Sequence, residues 1–168
     1  MLKLVKPSVE YMSAFKDAME EQRNDAGTKS FTPGVLKLID MIDAGRESEW
    51  LEHIAQQKNI SLFWLLNDGH YVGCFTFRHE LSEQSMQRGG NLGYNIIPSQ
   101  RCKGFAFAGL GLVLERAHKL GFGKILITCG VDNDKSYGLI KKAVSTFGGE
   151  FLPDSELKEH RAWVNTRK

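Results

Sequence analysis

The chain has 168 residues, of which 42% are hydrophobic and 25% are charged, a composition typical of an ordinary globular protein. Its length favours a single domain over residues 1–168 with a sizeable hydrophobic core. A formal net charge of +2 gives no indication of nucleic-acid binding, and no apolar run approaches the roughly 20 residues that cross a bilayer. We therefore expect neither a nucleic acid nor a membrane among its partners.

The cysteines and histidines bear on compartment and metal content. Cys74, Cys102 and Cys129 are widely spaced and form no CxxC pair. Cys74 and Cys129 lie in apolar runs, so buried free thiols in a reducing, cytoplasmic setting are the simplest interpretation. None of the five histidines has the HxH or HxxxH spacing of metal ligands, so we expect no metal site.

The N-terminal third is predicted to form one short strand and three helices. Residues 2–6 alternate apolar and polar side chains, as a strand does. Helices are expected to begin at Ser8, at 32–33 and at Ser48, where residues that cap or start helices precede apolar side chains at helical spacing. The polar stretch 24–30 contains a glycine and is expected to be a loop.

A β-hairpin is predicted next. Residues 60–66 and 71–78 are apolar and strand-like, and the Asp68-Gly69 pair between them favours a tight turn. Residues 79–90 are polar and end in two glycines, which is typical of a flexible connection.

The stretch 91–120 has the pattern of a strand, a sharp break, a glycine turn and an amphipathic helix. The strand is 92–97, and Pro98 after it cannot donate a hydrogen bond, so pairing must stop there. The turn RCKGFA follows at 101–106. Apolar side chains then recur at helical spacing, at Phe107, Leu110, Leu114, Ala117 and Leu120. A helix that begins after a glycine presents free N–H groups and its positive dipole end at one point, which predicts a phosphate or pyrophosphate site.

The remaining chain completes an α/β (α+β) fold. Residues 124–131 are predicted to form a buried strand, 132–147 a helix, and 150–152 and 162–165 two final strands. The short strand–helix–strand spacing indicates a right-handed parallel crossover. We expect one mixed, mostly antiparallel sheet of about six or seven strands, splayed at a parallel pair, with helices on both faces. A gap between splayed strands is a common ligand site in such folds.

The central stretch resembles the GNAT superfamily of acetyl-coenzyme A-dependent N-acetyltransferases. Residues 101–106 fit the pattern R/Q-x-x-G-x-G/A, after a strand that ends in hydrophobic-x-Pro. A helix, a buried strand and then Asn133-x-x-Ser136 follow, and the order of elements matches over nearly the whole chain. The segment GYNIIPSQR is similar to a branch of predicted acetyltransferases with a GYxIxPSxR segment.

The resemblance implies a set of cofactor-binding residues. The backbone of Ile96 and Ile97 is expected to bind the pantetheine arm as if it were an added strand. Asn133 is expected to contact pantetheine, and Ser136 lies on the cofactor side of the following helix. Backbone N–H groups are expected to hold the pyrophosphate of coenzyme A, and they belong to Arg101, Cys102, Lys103, Gly104, Phe105 and Ala106.

The position of the usual general base is changed in this chain. Relatives with a similar segment carry a glutamate where this chain has Asn91, and an amide can only orient a water. The alternatives for the base are Glu80, His79 or Glu83 in the preceding connection, and Asp40 or Asp43 are further options that the sequence does not place.

The position of the usual general acid is also changed. The tyrosine with which many relatives stabilise the leaving thiolate corresponds to Ile140. Ser136 is therefore the first candidate for a hydrogen bond to the sulfur, with capping of the helix as its alternative role.

The resemblance thus implies an enzyme that moves an acetyl group from acetyl-coenzyme A to a primary amine by direct transfer. The acceptor is expected to be a small-molecule or peptide amine, and the protein a monomer or homodimer. An alternative is an acyl-coenzyme A sensor or partner module that has lost catalysis, because Asn91 and Ile140 occupy the two usual catalytic positions. A generic nucleotide-phosphate binder is a third alternative, but the chain has neither GxGxxG nor GxxxxGK[ST].

Overall fold

The structure is a computed structural model that describes residues 1–24, 39–153 and 157–167. Within these ranges the chain forms seven strands in two antiparallel sheets, with helices packed against them. The strands are β1 (Leu2–Val5), β2 (Ile60–Asn67), β3 (His70–Arg78), β4 (Leu92–Ile96), β5 (Lys124–Gly130), β6 (Gly149–Phe151) and β7 (Glu159–Asn165). The helices are α1 (Met12–Asn24), α2 (Glu47–Ala55), α3 (Glu83–Gln87), α4 (Phe105–Lys119) and α5 (Asp134–Phe147), with 3-10 turns at Val9–Tyr11 and Pro98–Gln100 and helical residues at 39–43.

The larger sheet has the strand order β1-β2-β3-β4. Asp68 and Gly69 join β2 to β3 with φ angles of 50° and 85°, and this left-handed pair matches the strand twist of a tight hairpin. The predicted hairpin is therefore confirmed.

The smaller sheet has the order β5-β7-β6, and the gap between the two sheets lies between β4 and β5. The described residues contain no ladder between β4 and β5. The prediction of a mixed, mostly antiparallel α/β fold is confirmed, and the predicted splay is wide enough to divide the strands into two sheets.

Two hydrophobic cores lie on opposite faces of the larger sheet. On the face that we call the α4/α5 face, Leu110 and Leu114 of α4 and Ile140 of α5 pack against strand residues such as Phe75. On the other face, the α1/α2 face, Phe15 of α1 stacks on Trp64 at 4.9 Å. The larger sheet therefore has helices on both faces, as the sequence predicts.

Several boundaries differ from the predictions. The helix expected at Ser8 begins as the 3-10 turn, and Arg46 rather than Ser48 is the N-cap of α2. The connection 79–90 contains the short helix α3, which is capped by Ser82. Its five residues show no apolar periodicity, so the sequence does not predict it. The loop and helix start predicted between 25 and 38 lie outside the described residues. None of the helices within the described ranges is long and apolar enough to span a membrane.

Candidate active site

Asn91 joins the two sheets at the closed end of the gap. Its side chain is 3% exposed, its Nδ2 donates to the Arg78 carbonyl at 2.9 Å, and its Oδ1 accepts from the Leu126 N–H at 2.7 Å. Its own N–H donates to the Leu126 carbonyl, and its carbonyl accepts from the Arg78 N–H. All four polar groups of Asn91 are thus engaged in holding β4 to β3 and to β5.

Beyond Asn91, the backbone of β4 faces the gap. The Ile97 N–H donates to the Val72 carbonyl on the β3 side at 3.0 Å. Because peptide groups alternate in direction along a strand, those of Tyr94 and Ile96 point towards the gap. The Ile96 carbonyl there accepts a hydrogen bond from Arg101 Nε at 2.9 Å.

The predicted glycine turn lies at the end of β4 and leads into α4. Cys102 and Gly104 have φ angles of +61° and +85°, and Gly104 is the N-cap of α4. A glycine offers no side chain as a cap, and the first turn of α4 contains no acidic residue. The first N–H groups of the helix have no intrahelical acceptors, so they face outward as donors. A Cβ built on Gly104 would meet nothing within 4 Å, so the space above the turn is open.

Helix α1 holds the 3-10 turn Pro98–Gln100, which leads into the glycine turn. The Glu21 carboxylate accepts hydrogen bonds from both the backbone N–H and the hydroxyl of Ser99, the latter at 2.8 Å. Lys103 Nζ donates to Gln100 Oε1 at 3.3 Å. Helix α1 therefore positions the chain that leads into the glycine turn. The two basic residues of that turn, Arg101 and Lys103, lie beside the N-terminus of α4.

A pair of hydroxyls spans the gap. The Tyr94 hydroxyl on β4 lies 2.8 Å from the Ser136 Oγ in the first turn of α5. Asn133 is the N-cap of α5, and its Oδ1 accepts from the Ser136 N–H at 3.0 Å. Burial raises the pKa of Tyr94, so the phenol keeps its proton at neutral pH. Asn133 and Ser136 lie together as the sequence suggested, and Tyr94 is a residue that sequence reasoning missed.

The opposite face of β4 carries a second polar group. Asn95 points to the α1/α2 face, where its Nδ2 lies 3.4 Å from Gln22 Oε1, and both side chains are buried. Neighbouring residues of β4 therefore present Tyr94 to one face of the sheet and Asn95 to the other.

Glu80 and Ile140 do not contribute polar groups to the Tyr94–Ser136 pair. Glu80 follows β3 and accepts from Asn59 Nδ2 at 3.3 Å. Tyr94 pairs with Phe75, and Glu80 is five residues further on, about 17 Å at strand rise, so the structure does not bring Glu80 to the hydroxyl pair. Ile140 is 1% exposed in the core of the α4/α5 face and supplies no polar group.

Among the described residues, neither the cysteines nor a group of metal ligands forms a second candidate site. Burial raises the pKa of the Cys74 and Cys129 thiols to about 11, with the negative charge of Glu159 adding to the shift at Cys129. Cys102 is exposed, and all three cysteines are free. Among the described residues, no group of three or more His, Cys, Asp or Glu is placed to hold a metal ion.

A protein-family model described as the acetyltransferase (GNAT) domain matches residues 14–143. The chain belongs to the GNAT acetyltransferase family. The match includes β4, the glycine turn, α4 and the start of α5, which are the elements that build the gap. No curated protein matches this GNAT chain in sequence.

Solved structures share the fold of this GNAT domain at low sequence identity. The microcin C7 self immunity acetyltransferase MccE, in complex with acetyl-CoA and AMP, has a TM-score of 0.65 and 14% identity, covering 98% of this chain and 92% of that one. The Campylobacter jejuni N-acetyltransferase PseH, in complex with acetyl coenzyme A, has a TM-score of 0.58 and 11% identity, with coverages of 98% and 99%. Mutant forms of the Vibrio cholerae spermidine/spermine N-acetyltransferase SpeG have a TM-score of 0.60 and 13% identity, with coverages of 99% and 95%.

Proposed function

We propose that this GNAT domain is an N-acetyltransferase that moves an acetyl group from acetyl-CoA to a primary amine by direct transfer. The observation that carries the proposal is the alignment of an uncapped glycine turn, the gap-facing peptide groups of β4 and the Tyr94–Ser136 hydroxyl pair along one gap. The free cysteines support a reducing, cytoplasmic setting.

The chain fits coenzyme A in two stretches. The N–H groups from Cys102 to Ala106, at the positive end of α4, would bind the pyrophosphate, and the open space above Gly104 leaves room for it. The Arg101 N–H donates to the Pro98 carbonyl at 3.2 Å instead. The gap-facing peptide groups of Tyr94 and Ile96 would bind the pantetheine amides. The contact would end at Ile97, whose N–H donates to the Val72 carbonyl on the β3 side. Arg101 Nε, which donates to the Ile96 carbonyl, would hold the end of β4 in shape.

The hydroxyl pair would stabilise the leaving sulfur. Acetyl-CoA supplies a thioester, and the amine nitrogen forms a bond to its acetyl carbon while the C–S bond breaks and the electron pair leaves with the sulfur. With Tyr94 as the donor of the pair, the Ser136 hydroxyl would direct its own proton at the leaving sulfur. Because burial raises the pKa of Tyr94, the phenol keeps its proton and acts as a hydrogen-bond donor. The proton that the amine loses passes to water.

In this proposal Ser136 and Tyr94 act on the sulfur, and Asn91 is a positioning residue. Asn133 orients Ser136 by accepting its backbone N–H. Glu80 has no part in the proposal because of its distance from the hydroxyl pair. Membership of the GYxIxPSxR branch stays a prediction.

Cofactor binding is tested by titration calorimetry with acetyl-CoA. Gly104→Glu would place a carboxylate among the phosphate donors, and we expect affinity to fall at least about tenfold, or 1.4 kcal/mol. Gly121→Glu is the matched control, since Gly121 also has positive φ, +91°, and nothing within 4 Å of a built Cβ. Equal affinity in both variants, or no binding by the wild type, would refute the proposal.

A second candidate is an acyl-CoA sensor that binds the cofactor without turnover. It is favoured by Asn91 and Ile140, which supply neither base nor acid at the family's usual positions. Release of free thiol from acetyl-CoA in the presence of a panel of primary amines separates the two. Turnover with any amine eliminates the sensor.

A further inference from the structure

Two adjacent lysines of α5 lie over aromatic rings in different places. Lys141 Nζ lies 4.6 Å from the centroid of the Tyr137 ring, on the same helix. Lys142 Nζ lies 4.2 Å from the centroid of the Phe107 ring, which belongs to the first turn of α4. Both lysines are exposed. One lysine of the pair is therefore directed at the end of α4 that follows the glycine turn.

Packing between α4 and α5 fixes the ring against which Lys142 lies. Phe107 is half-buried and lies against Phe147 at the end of α5, with ring centroids 5.7 Å apart. One turn further along α4, Gly111 leaves room for Phe147, whose Cζ would lie 3.7 Å from a Cβ built on that glycine. Two helices thus set the position of the Phe107 ring, while the exposed ammonium of Lys142 stays open to a ligand.

The positive charge of Lys142 is not neutralised by any described part of the chain. Its ammonium forms no ion pair with a described carboxylate, and its contact is the Phe107 ring. The acidic residue of α5, Asp134, lies about 12 Å earlier along the helix at 1.5 Å per residue. By contrast, Lys119 at the far end of α4 pairs with Glu115 at 2.6 Å.

A lysine at this place is unfavourable for the protein by itself. The N-terminus of a helix carries a partial positive charge, which repels a cation beside it. Lys103 lies at the same end of α4, and the first turn of that helix contains no acidic residue. A bound anion would turn this repulsion into attraction. An arrangement that breaks a stability rule without a compensating contact is typical of a binding site.

The pyrophosphate alone does not account for Lys142. The N–H groups proposed to bind it end at Ala106, and Phe107 follows them on the side of α5. The pantetheine arm leaves the pyrophosphate along β4, so the adenosine half of the cofactor has the α5 side of the turn. Coenzyme A carries a further phosphate on the 3′ oxygen of its ribose, separated from the pyrophosphate by the sugar. That phosphate is the anion that suits the ammonium of Lys142.

We propose that Lys142 binds the 3′-phosphate of acetyl-CoA, with the Phe107 ring holding the ammonium in place. The inference rests on the proposed function, because it takes the pyrophosphate to lie on the glycine turn. It makes the protein selective for the 3′-phosphorylated coenzyme over dephospho-coenzyme A. Because a lysine ammonium pairs with phosphate as a point charge, it needs no rigid geometry for this selection.

The test is titration calorimetry of acetyl-CoA and its 3′-dephospho analogue with the wild type and two variants. We expect the wild type to bind acetyl-CoA about tenfold more tightly than the analogue, the effect of one charge-assisted hydrogen bond. Lys142→Gln should weaken acetyl-CoA binding about tenfold and leave binding of the analogue unchanged. Lys141→Gln is the matched control, since it removes an equally exposed neighbouring lysine, and it should keep the wild-type preference.

Three results overturn the inference: equal binding of both ligands by the wild type, equal weakening of both by Lys142→Gln, or loss of the preference in Lys141→Gln. Equal weakening would show that Lys142 acts only through helix packing. The comparison needs no amine, so a failure of acetyl transfer leaves it intact.

If the wild type does not bind acetyl-CoA, the proposed function fails separately. Titration with adenosine 3′,5′-bisphosphate and with 5′-AMP then decides. Tighter binding of the bisphosphate that is lost in Lys142→Gln supports the inference, and equal or absent binding overturns it.

Discussion

Replacing Asn91 by alanine separates a positioning role from a catalytic one. The substitution removes the acceptor of the buried Leu126 N–H and the donor to the Arg78 carbonyl. Each buried group left unsatisfied costs about 1–3 kcal/mol, the carbonyl being the less costly, so we expect a loss of about 2–4 kcal/mol in the free energy of unfolding. For a chain of this length that is a fall of roughly 4–16 °C in melting temperature.

Urea unfolding and steady-state kinetics together check this expectation. Asn95→Ala is the matched control, because Asn95 is also a buried β4 amide but makes a single long hydrogen bond of 3.4 Å to Gln22. It should cost less than about 1.5 kcal/mol. If Asn91→Ala unfolds at the urea concentration of the wild type while kcat collapses, Asn91 orients a reacting group and its positioning role is refuted.

Three further predictions concern the hydroxyl pair, the turn and the thiols. Tyr94→Phe and Ser136→Ala should each lower kcat about tenfold with little change in affinity for acetyl-CoA. Because both hydroxyls act on one sulfur, the kcat of the double variant should be no lower than that of the poorer single variant. Additive losses in kcat would contradict this. Glu21→Gln should weaken acetyl-CoA binding, measured by calorimetry, because Glu21 holds Ser99 just before the glycine turn. An undiminished affinity would show that this contact is not needed for binding. Burial raises the pKa of the Cys129 thiol from 9.0 to about 11, so the contribution of the thiol to stability is complete below pH 9 and is lost as pH rises to about 11. Unfolding measured across that range should show a flatter decline for Cys129→Ala than for the wild type, and parallel curves would contradict the assignment.

Local patterns in the sequence predict the cofactor half of the site. The glycine turn, the proline that ends β4 and the start of α4 follow from residues next to one another between positions 92 and 106. Each of these features acts through the backbone, so neighbouring residues are enough to predict it.

The side chains around the gap depend on contacts between distant residues. Tyr94 and Ser136 are 42 positions apart, and in the sequence Tyr94 is one more β-favouring residue in a strand. Glu159 lies in a polar stretch that the sequence predicts to be a loop, but it is the first residue of β7 and is buried where β5 pairs with β7. Asn91 occupies the position of the family's base, but both polar atoms of its side-chain amide are hydrogen-bonded to the backbone, one to each sheet.

The alternation of β4 limits how this protein can diversify. Tyr94 faces the α4/α5 side and Asn95 the α1/α2 side, so adjacent positions of a single strand supply polar side chains to both faces of the sheet. An insertion or deletion of one residue between Asn91 and Tyr94 would turn every later side chain to the other face and exchange the two surfaces. New specificities on this scaffold should therefore arise by substitution within β4 or by length changes in the connections around it, while the length of β4 itself is fixed by the two faces that it supplies.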